Sequence, residues 1–271
     1  TRFKSPTAFL PNFAPSKRVK IFERGDPDHI LWLMFSTLTD RRQKSGGPFG
    51  VYASHCRIYA NRPECYTKKV MSFDPVEFGN YLKRFKIGVP NQSAAYWIRC
   101  AKTLFGSYGG DPVRMFREIG SDVRAVQTFK KSGEVYVENG KKKRDDPLPG
   151  FGPKITSLYS LFLHEVGAVL MPEDAFPVDV QVQRMFLQTG VIVKKMDISN
   201  AMMEKVLRPL ICLVAKFYQL DKVIVSHSFW LLGSELCNGC PDKQIARYKC
   251  PVYEACLGCE NTASYFARGK W

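Results

Sequence analysis

The sequence predicts an all-α protein, and three observations carry that prediction. Apolar residues recur three and four apart through most of the chain. Asp, Pro and Gly stand where those periodic stretches begin and end. A single short stretch alternates like a strand instead.

The first predicted helix follows Asp28, a candidate N-cap, and carries Ile30, Leu31, Met34 and Phe35. Phe78, Leu82 and Phe85 mark a second. A third starts near Ser93, carries Ala94, Trp97, Ile98, Ala101 and Leu104, and ends at Gly106. Residues 112–119 form a short fourth. Residues 120–147 break the pattern: Val135, Tyr136 and Val137 sit between glutamates, and Asn139-Gly140 is a hairpin turn signal. Lys141, Lys142, Lys143 and Arg144 follow at once. This reads as a small β-hairpin or loop inserted into a helical domain, either a solvated loop or a basic contact to a polyanion such as a nucleic acid. Helices resume over 154–166, 180–188, 200–220 and about 222–236.

Length and composition narrow the class. With 271 residues and 45% apolar residues, the chain can bury a real core, which argues against a disordered or fibrous protein. No apolar run is long enough to span a bilayer, and no signal peptide is visible at Thr1. Lys and Arg number 40 against 25 acids, a net charge of +15. A surplus of that size suits a polyanionic partner, because each phosphate neutralised releases a counterion. Arg2, Lys4, Lys17, Arg18 and Lys20 give the first twenty residues a basic face, readable as a solvated tail or as an arm along phosphates. His29, His55, His164 and His227 form no visible constellation.

Three motifs carry chemistry. Leu148-Pro149-Gly150-Phe151-Gly152-Pro153-Lys154 closes one element and opens the next helix. Two glycines let the backbone turn tightly and approach a ligand without Cβ obstruction. Pro153 suits a first helical turn, and the N–H groups at a helix start bind anions such as a DNA phosphate. Without that partner, the segment is an ordinary Pro/Gly turn. Asp179, in Phe176-Pro177-Val178-Asp179-Val180, stands as an N-cap before a helix whose Val182, Met185 and Phe186 share a face. Cys56, Cys65, Cys100 and Cys212 are scattered and read as buried thiols, whereas Cys237, Cys240, Cys250, Cys256 and Cys259 crowd the last 35 residues. Such crowding points to a metal centre in an intracellular chain. Four thiolates accept either an iron–sulfur cluster or a structural zinc.

The first motif resembles the helix-hairpin-helix signature of the endonuclease III superfamily of DNA glycosylases, and the resemblance runs from about Asp28 to Cys259. It implies a two-lobed, all-α fold: a helical barrel over 28–168, and a second lobe of 1–27 with 169–271 that ends in a metal-cluster loop. It makes Lys154 the Schiff-base nucleophile. A lysine at the positive end of a helix yields the free amine more readily, and the free amine attacks the sugar. A phosphate contact is the plainer role for the same side chain. The resemblance makes Asp179 the carboxylate that steadies positive charge on the deoxyribose as the base leaves. It implies DNA contacts at Gly150, Phe151 and Gly152, and it places Val89 where the family carries a wedge that fills the gap left by a flipped base. The Ser36–Asp40 end of the first helix lacks the glutamate of adenine-type enzymes. The gap from Lys154 to Asp179 is longer than the family's, with the extra residues around 167–174.

The family's [4Fe–4S] loop is spaced C-x6-C-x2-C-x5-C. Here Cys250 and Cys256 match the last pair and Cys240 stands first, ten residues before Cys250, but Arg247 occupies the second position. Cys237 or Cys259 must then supply the fourth ligand; Cys237 forms a C-x2-C pair with Cys240. Zinc is the alternative metal. The implied activity is base excision by a DNA glycosylase with AP-lyase (β-elimination) activity, acting as a monomer on double-stranded DNA that holds a damaged base or abasic site, inside the cell. The alternatives are a monofunctional glycosylase, and a non-catalytic DNA-binding or damage-sensing protein. The base removed, an oxidised pyrimidine or 8-oxoguanine, is not readable from the sequence.

Overall fold

The computed structural model describes residues 6–8, 22–41, 50–191, 203–236 and 250–256. It is predominantly helical, with one two-stranded antiparallel sheet among the described residues. None of the described helices is long and apolar enough to cross a membrane. The chain divides into two compact units, Thr1–Ala175 and Phe176–Trp271.

The first unit contains α1 (Pro27–Thr39), α2 (Val51–Asn61), α3 (Pro75–Arg84), α4 (Pro90–Ser107), α5 (Pro112–Ile119), α6 (Val123–Phe129), the hairpin β1 (Val135–Glu138) and β2 (Lys141–Arg144), and α7 (Pro153–Glu165). Proline opens α1, α3, α4, α5 and α7, where its missing N–H costs no ladder bond. Asp74, Asp111 and Asp122 cap α3, α5 and α6 by accepting backbone N–H bonds. The first helix starts two residues earlier than its apolar pattern suggests: Asp26, not Asp28, is the N-cap, and Asp28 lies in the first turn. The N-terminal segment, expected with the second lobe, makes its described contacts within the first unit. There Phe22 is buried against Tyr59, and Arg24 donates to the Glu165 carbonyl.

α1 is buried nearly all round, from His29 to Thr39, and forms the centre of this unit. Phe35 stacks on Trp97 of α4 at 5.0 Å between ring centroids. On the other side Phe116, Phe151 and Tyr159 pack edge to face, and the Tyr159 hydroxyl donates to the Ile30 carbonyl at 3.1 Å.

Two helices escape the sequence pattern. α2 buries Ser54 and His55 along with Val51, Tyr52 and Ile58, so its inner face does not read as apolar. The 7-residue α6 falls in the stretch that otherwise reads as a break, and its Asp122 cap is the sole local signal. Those buried polar groups form a satisfied network. The Thr39 hydroxyl donates to the Ser36 carbonyl (3.1 Å), so His55 Nε2 donates to Thr39 (2.7 Å) and His55 Nδ1 accepts from Tyr66 Oη (2.7 Å). Burial holds the His55 imidazole down to about 3.

The titration of His55 has a measurable consequence. The unfolded chain protonates His55 near its ordinary value of about 6.5, while the native state does not. Its contribution is therefore complete above about pH 6.5 and is lost progressively as the pH falls toward 3. Between about pH 6.5 and 5, before the carboxylates titrate, stability should drop by about 2 kcal/mol. Urea midpoints across that window should fall for the native chain and fall less for His55→Gln; equal slopes would remove His55 as the cause.

The second unit contains α8 (Val180–Gln188), α9 (Arg208–Phe217) and α10 (Lys222–Leu231). Phe176, Val178, Val182, Met185, Phe186, Leu207 and Ile211 form its core, with Phe229 packed on Phe176 and Phe186. The buried Arg208 donates to the Phe176 carbonyl at 2.8 Å. The single helix expected over 200–220 is instead a π turn, Met203–Leu207, followed by α9. Pro209 is the physical reason, since it has no N–H to continue an α ladder. A second π turn, Leu232–Leu236, follows α10 where Gly233 abuts the Gln181 backbone.

Candidate active site

The Gly150–Lys154 segment is built as a tight turn into α7. The Leu148 N–H is taken by Asp146 Oδ1 (2.9 Å), the Phe151 N–H donates to the Leu148 carbonyl (3.2 Å), and the Gly152 N–H donates to the Gly150 carbonyl (2.8 Å). At Phe151 and Gly152, two of the residues expected beside DNA, the turn itself takes up the backbone N–H groups. Phe151 is also fully buried between Phe116 and Tyr159, with Gln127 Nε2 donating to its carbonyl at 2.8 Å. A ring of that size closes the core more favourably than it meets a solvated phosphate. Phe151 therefore anchors the turn from inside.

What remains for an anion is the start of α7. Gly152 gives no side-chain cap, Pro153 has no N–H, and the first ladder bond runs from Thr156 N to Gly152 O (2.9 Å). The amides of Lys154 and Ile155 lie ahead of that bond, at the positive end of the helix. The half-buried Lys154 donates its Nζ to the Asp40 carbonyl at 3.2 Å.

The two glycines of the turn answer to different demands. Gly150 has φ +88°, and a Cβ there would lie 2.7 Å from Leu38 Cδ1 and 2.9 Å from the Tyr96 ring. A Cβ on Gly152, at φ −68°, would meet nothing within 4 Å. The protein's own packing requires the first glycine and leaves the second open to an incoming backbone. Gly150→Ala should therefore cost about 1–3 kcal/mol in a melting experiment. Gly152→Ala should melt within about 1 kcal/mol of the native chain. A melting loss for Gly152→Ala as large as that for Gly150→Ala would mean that the fold itself needs both glycines.

Around this turn the structure gathers residues that sequence reasoning passed over. The Tyr96 ring lies against Gly150, the Arg41 guanidinium sits 4.7 Å over that ring, and Gln92 donates to the Tyr96 hydroxyl (3.1 Å). Asp40 ends α1 as its C-cap, is 4% exposed, and accepts a bond from Tyr52 Oη at 3.1 Å. Burial and the adjacent Asp40 raise the Tyr52 phenol well above its ordinary value, so it stays a donor. Asp40 reads in sequence as no more than the end of a helix; its partners come from α2 and α7.

Val89, the wedge candidate, is the N-cap of α4 at φ 46° and ψ 56°, and its side chain is 39% exposed. A β-branched residue in the left-handed region is a true outlier, and Lys86, at φ 59°, is a second left-handed residue in the same loop. The loop is held by Ser93, whose hydroxyl donates to the Gly88 carbonyl (2.9 Å), and by the buried Ile87. Strain of about 1–3 kcal/mol persists where surroundings over-determine it.

Lys141, Lys142 and Lys143 lie on an exposed strand, with Val137 facing Lys142, Tyr136 facing Lys143 and Glu138 facing Lys141. Asn139 and Gly140 take positive φ in the turn, as their sequence predicts. Lys143 is paired with Glu138, and Arg144 donates to the Lys131 carbonyl. Pairing weakens the case for Lys143 as a phosphate contact more than for Lys141 or Lys142.

In the second unit Asp179 caps α8: its Oδ1 accepts from Gln181 N (2.9 Å) and Val182 N (3.1 Å). The N-cap expected from sequence is present, and it fixes the aim of the carboxylate. Of the cysteine cluster, Cys237, Cys240 and Cys259 lie outside the described residues, as does the basic segment from Lys17 to Lys20. Cys250 and Cys256 are half-buried and flank consecutive turns, with Tyr253 N donating to Cys250 O and Cys256 N to Tyr253 O, each at 3.2 Å. Among the described residues no group of three or more His, Cys, Asp or Glu could hold a metal. The scattered cysteines divide: Cys65 and Cys100 are buried, as expected, while Cys56 and Cys212 are half-exposed. No protein-family model matches the chain, and no curated protein matches it either.

Proposed function

We propose that this protein is a DNA glycosylase with AP-lyase activity, in which Lys154 is the nucleophile and Asp179 the stabilising carboxylate. The observation that carries the reading is the setting of Lys154. Its amine stands one residue past an uncapped Gly-Pro helix start, beside a glycine open to an approaching backbone, and bonds to a neutral carbonyl. A phosphate held at that helix start would bring the adjoining sugar toward the amine.

The target nucleotide must leave the base stack before its C1′ can be reached. The amine attacks C1′ as the C1′–N bond to the base breaks, and the base leaves with the bonding pair and takes up a proton; the C1′–O4′ bond of the resulting aminal then opens, O4′ is protonated, and the nitrogen lone pair forms the C1′=N bond of the protonated imine. Loss of a C2′ proton then expels the 3′ phosphate, cutting the strand. Asp179 favours the cationic sugar during departure, in keeping with a carboxylate whose direction is fixed by its cap. Val89, strained and exposed, enters the stack where the base was. A cluster held by Cys240, Cys250, Cys256 and Cys237 or Cys259 would brace the C-terminal loop; zinc is the alternative occupant.

The test is a panel of single-lesion and abasic duplexes incubated with the protein and borohydride. A covalent protein–DNA adduct should form on abasic DNA and on one class of lesion. No adduct and no strand cleavage on any duplex would overturn the reading in favour of a binding protein.

A further inference from the structure

We propose that Asp40 is a positioning residue for the Lys154 amine, with its carbonyl setting where the amine waits and Tyr52 setting where that carbonyl points. The inference rests on the reading of Lys154 as nucleophile, yet it has a readout of its own.

Three contacts carry it. Lys154 Nζ donates to the backbone oxygen of Asp40 at 3.2 Å. The Asp40 carboxylate accepts from Tyr52 Oη at 3.1 Å. Tyr52 is itself fixed in the core, with its ring 5.9 Å from Phe162 of α7 and 6.4 Å from Trp32 of α1. The restraint therefore passes from the packed faces of α1, α2 and α7, through one phenol and one carboxylate, to one carbonyl. Asp40 is the C-cap of α1, and its own N–H is tied to the Thr37 carbonyl.

A side chain at a helix end could point anywhere; this one is turned inward to a phenol, and its residue is 4% exposed. An aspartate that served only as a surface cap would not need a buried hydroxyl as partner. A long, flexible lysine also loses much rotamer freedom when held, so a fixed acceptor decides which rotamer it occupies. An amine displaced by about 1 Å reacts far more slowly with a sugar carbon.

The experiment uses the full chain with Tyr52→Phe, Asp40→Asn and Asp40→Ala. Each is measured by borohydride trapping on saturating abasic duplex, and by the rate at which Lys154 is reductively methylated relative to other lysines, read peptide by peptide without DNA. Tyr52→Phe should slow trapping about 10- to 100-fold while abasic-duplex affinity holds, and should change the Lys154 methylation rate several-fold. Asp40→Asn keeps the carbonyl and an acceptor for Tyr52, so its trapping should stay within about threefold of the native chain, with Asp40→Ala well below it. A folded Tyr52→Phe with native trapping and native Lys154 methylation overturns the proposal. So does slowed trapping with unchanged methylation, which would mark a merely structural phenol. If Tyr52→Phe does not fold, the Asn and Ala variants decide, and equal behaviour of the two overturns the proposal. If the native chain traps nothing but Lys154 methylation responds to Tyr52→Phe, the glycosylase reading fails and the positioning stands.

Discussion

If Lys154 is the proposed nucleophile, Lys154→Ala should abolish borohydride trapping on abasic DNA, a loss of about 10³-fold or more. Stability should change little. The lysine is half-buried, and its Nζ bonds to the Asp40 carbonyl at 3.2 Å. Removing such a bond costs about 1 kcal/mol. Lys154→Arg separates chemistry from charge. Arginine keeps the cation for a phosphate but stays protonated and cannot form an imine. If Lys154 is the nucleophile, Arg should bind duplex DNA nearly as the native chain does and still fail to trap. Trapping at the native rate by either variant would move the nucleophile elsewhere.

If Asp179 is the proposed stabilising carboxylate, Asp179→Asn should lower base excision by about 100-fold or more while the melting temperature shifts little. The structure makes this a sharp comparison. The Asp179 Oδ1 already caps α8 through two backbone amides, at 2.9 and 3.1 Å. Asparagine caps about as well as aspartate, so the bonds survive the substitution. What goes is the charge, worth about 0.3–1 kcal/mol at a helix start but decisive opposite a cationic sugar. Excision from a lesion duplex and thermal melting are measured on the same preparation. Near-normal excision with a markedly lowered melting temperature would leave Asp179 as a cap and nothing more.

The residues differ in how far their roles could be read in advance. Helices with clean apolar periods were legible: residues 112–119 and 180–188 are helical over the bounds their patterns give. The hairpin over 135–144 was legible too, since Asn139-Gly140 encodes its own turn. α2 was not, because it buries His55 and Ser54 where a period count expects apolar residues. At the turn, the sequence marks glycines but cannot rank them. Gly150 is demanded by Leu38 and Tyr96, from α1 and α4, and Gly152 by neither. The sequence does not show that the Phe151 ring is buried inside the turn, since its neighbours Phe116 and Tyr159 come from other helices.

Sequence alone determined the helical class, the Asn-Gly hairpin, the Asp179 cap and the Gly-Phe-Gly-Pro-Lys helix start. These are local: they depend on backbone preference and on bonds spanning a few residues. Tertiary structure alone decided the surroundings of Lys154. Its acceptor, Asp40, is 114 residues away in the chain, and the phenol that holds Asp40 comes from a third helix. Such partners are chosen by how buried helices pack, because a buried polar group must find its bond among whatever side chains that packing places beside it.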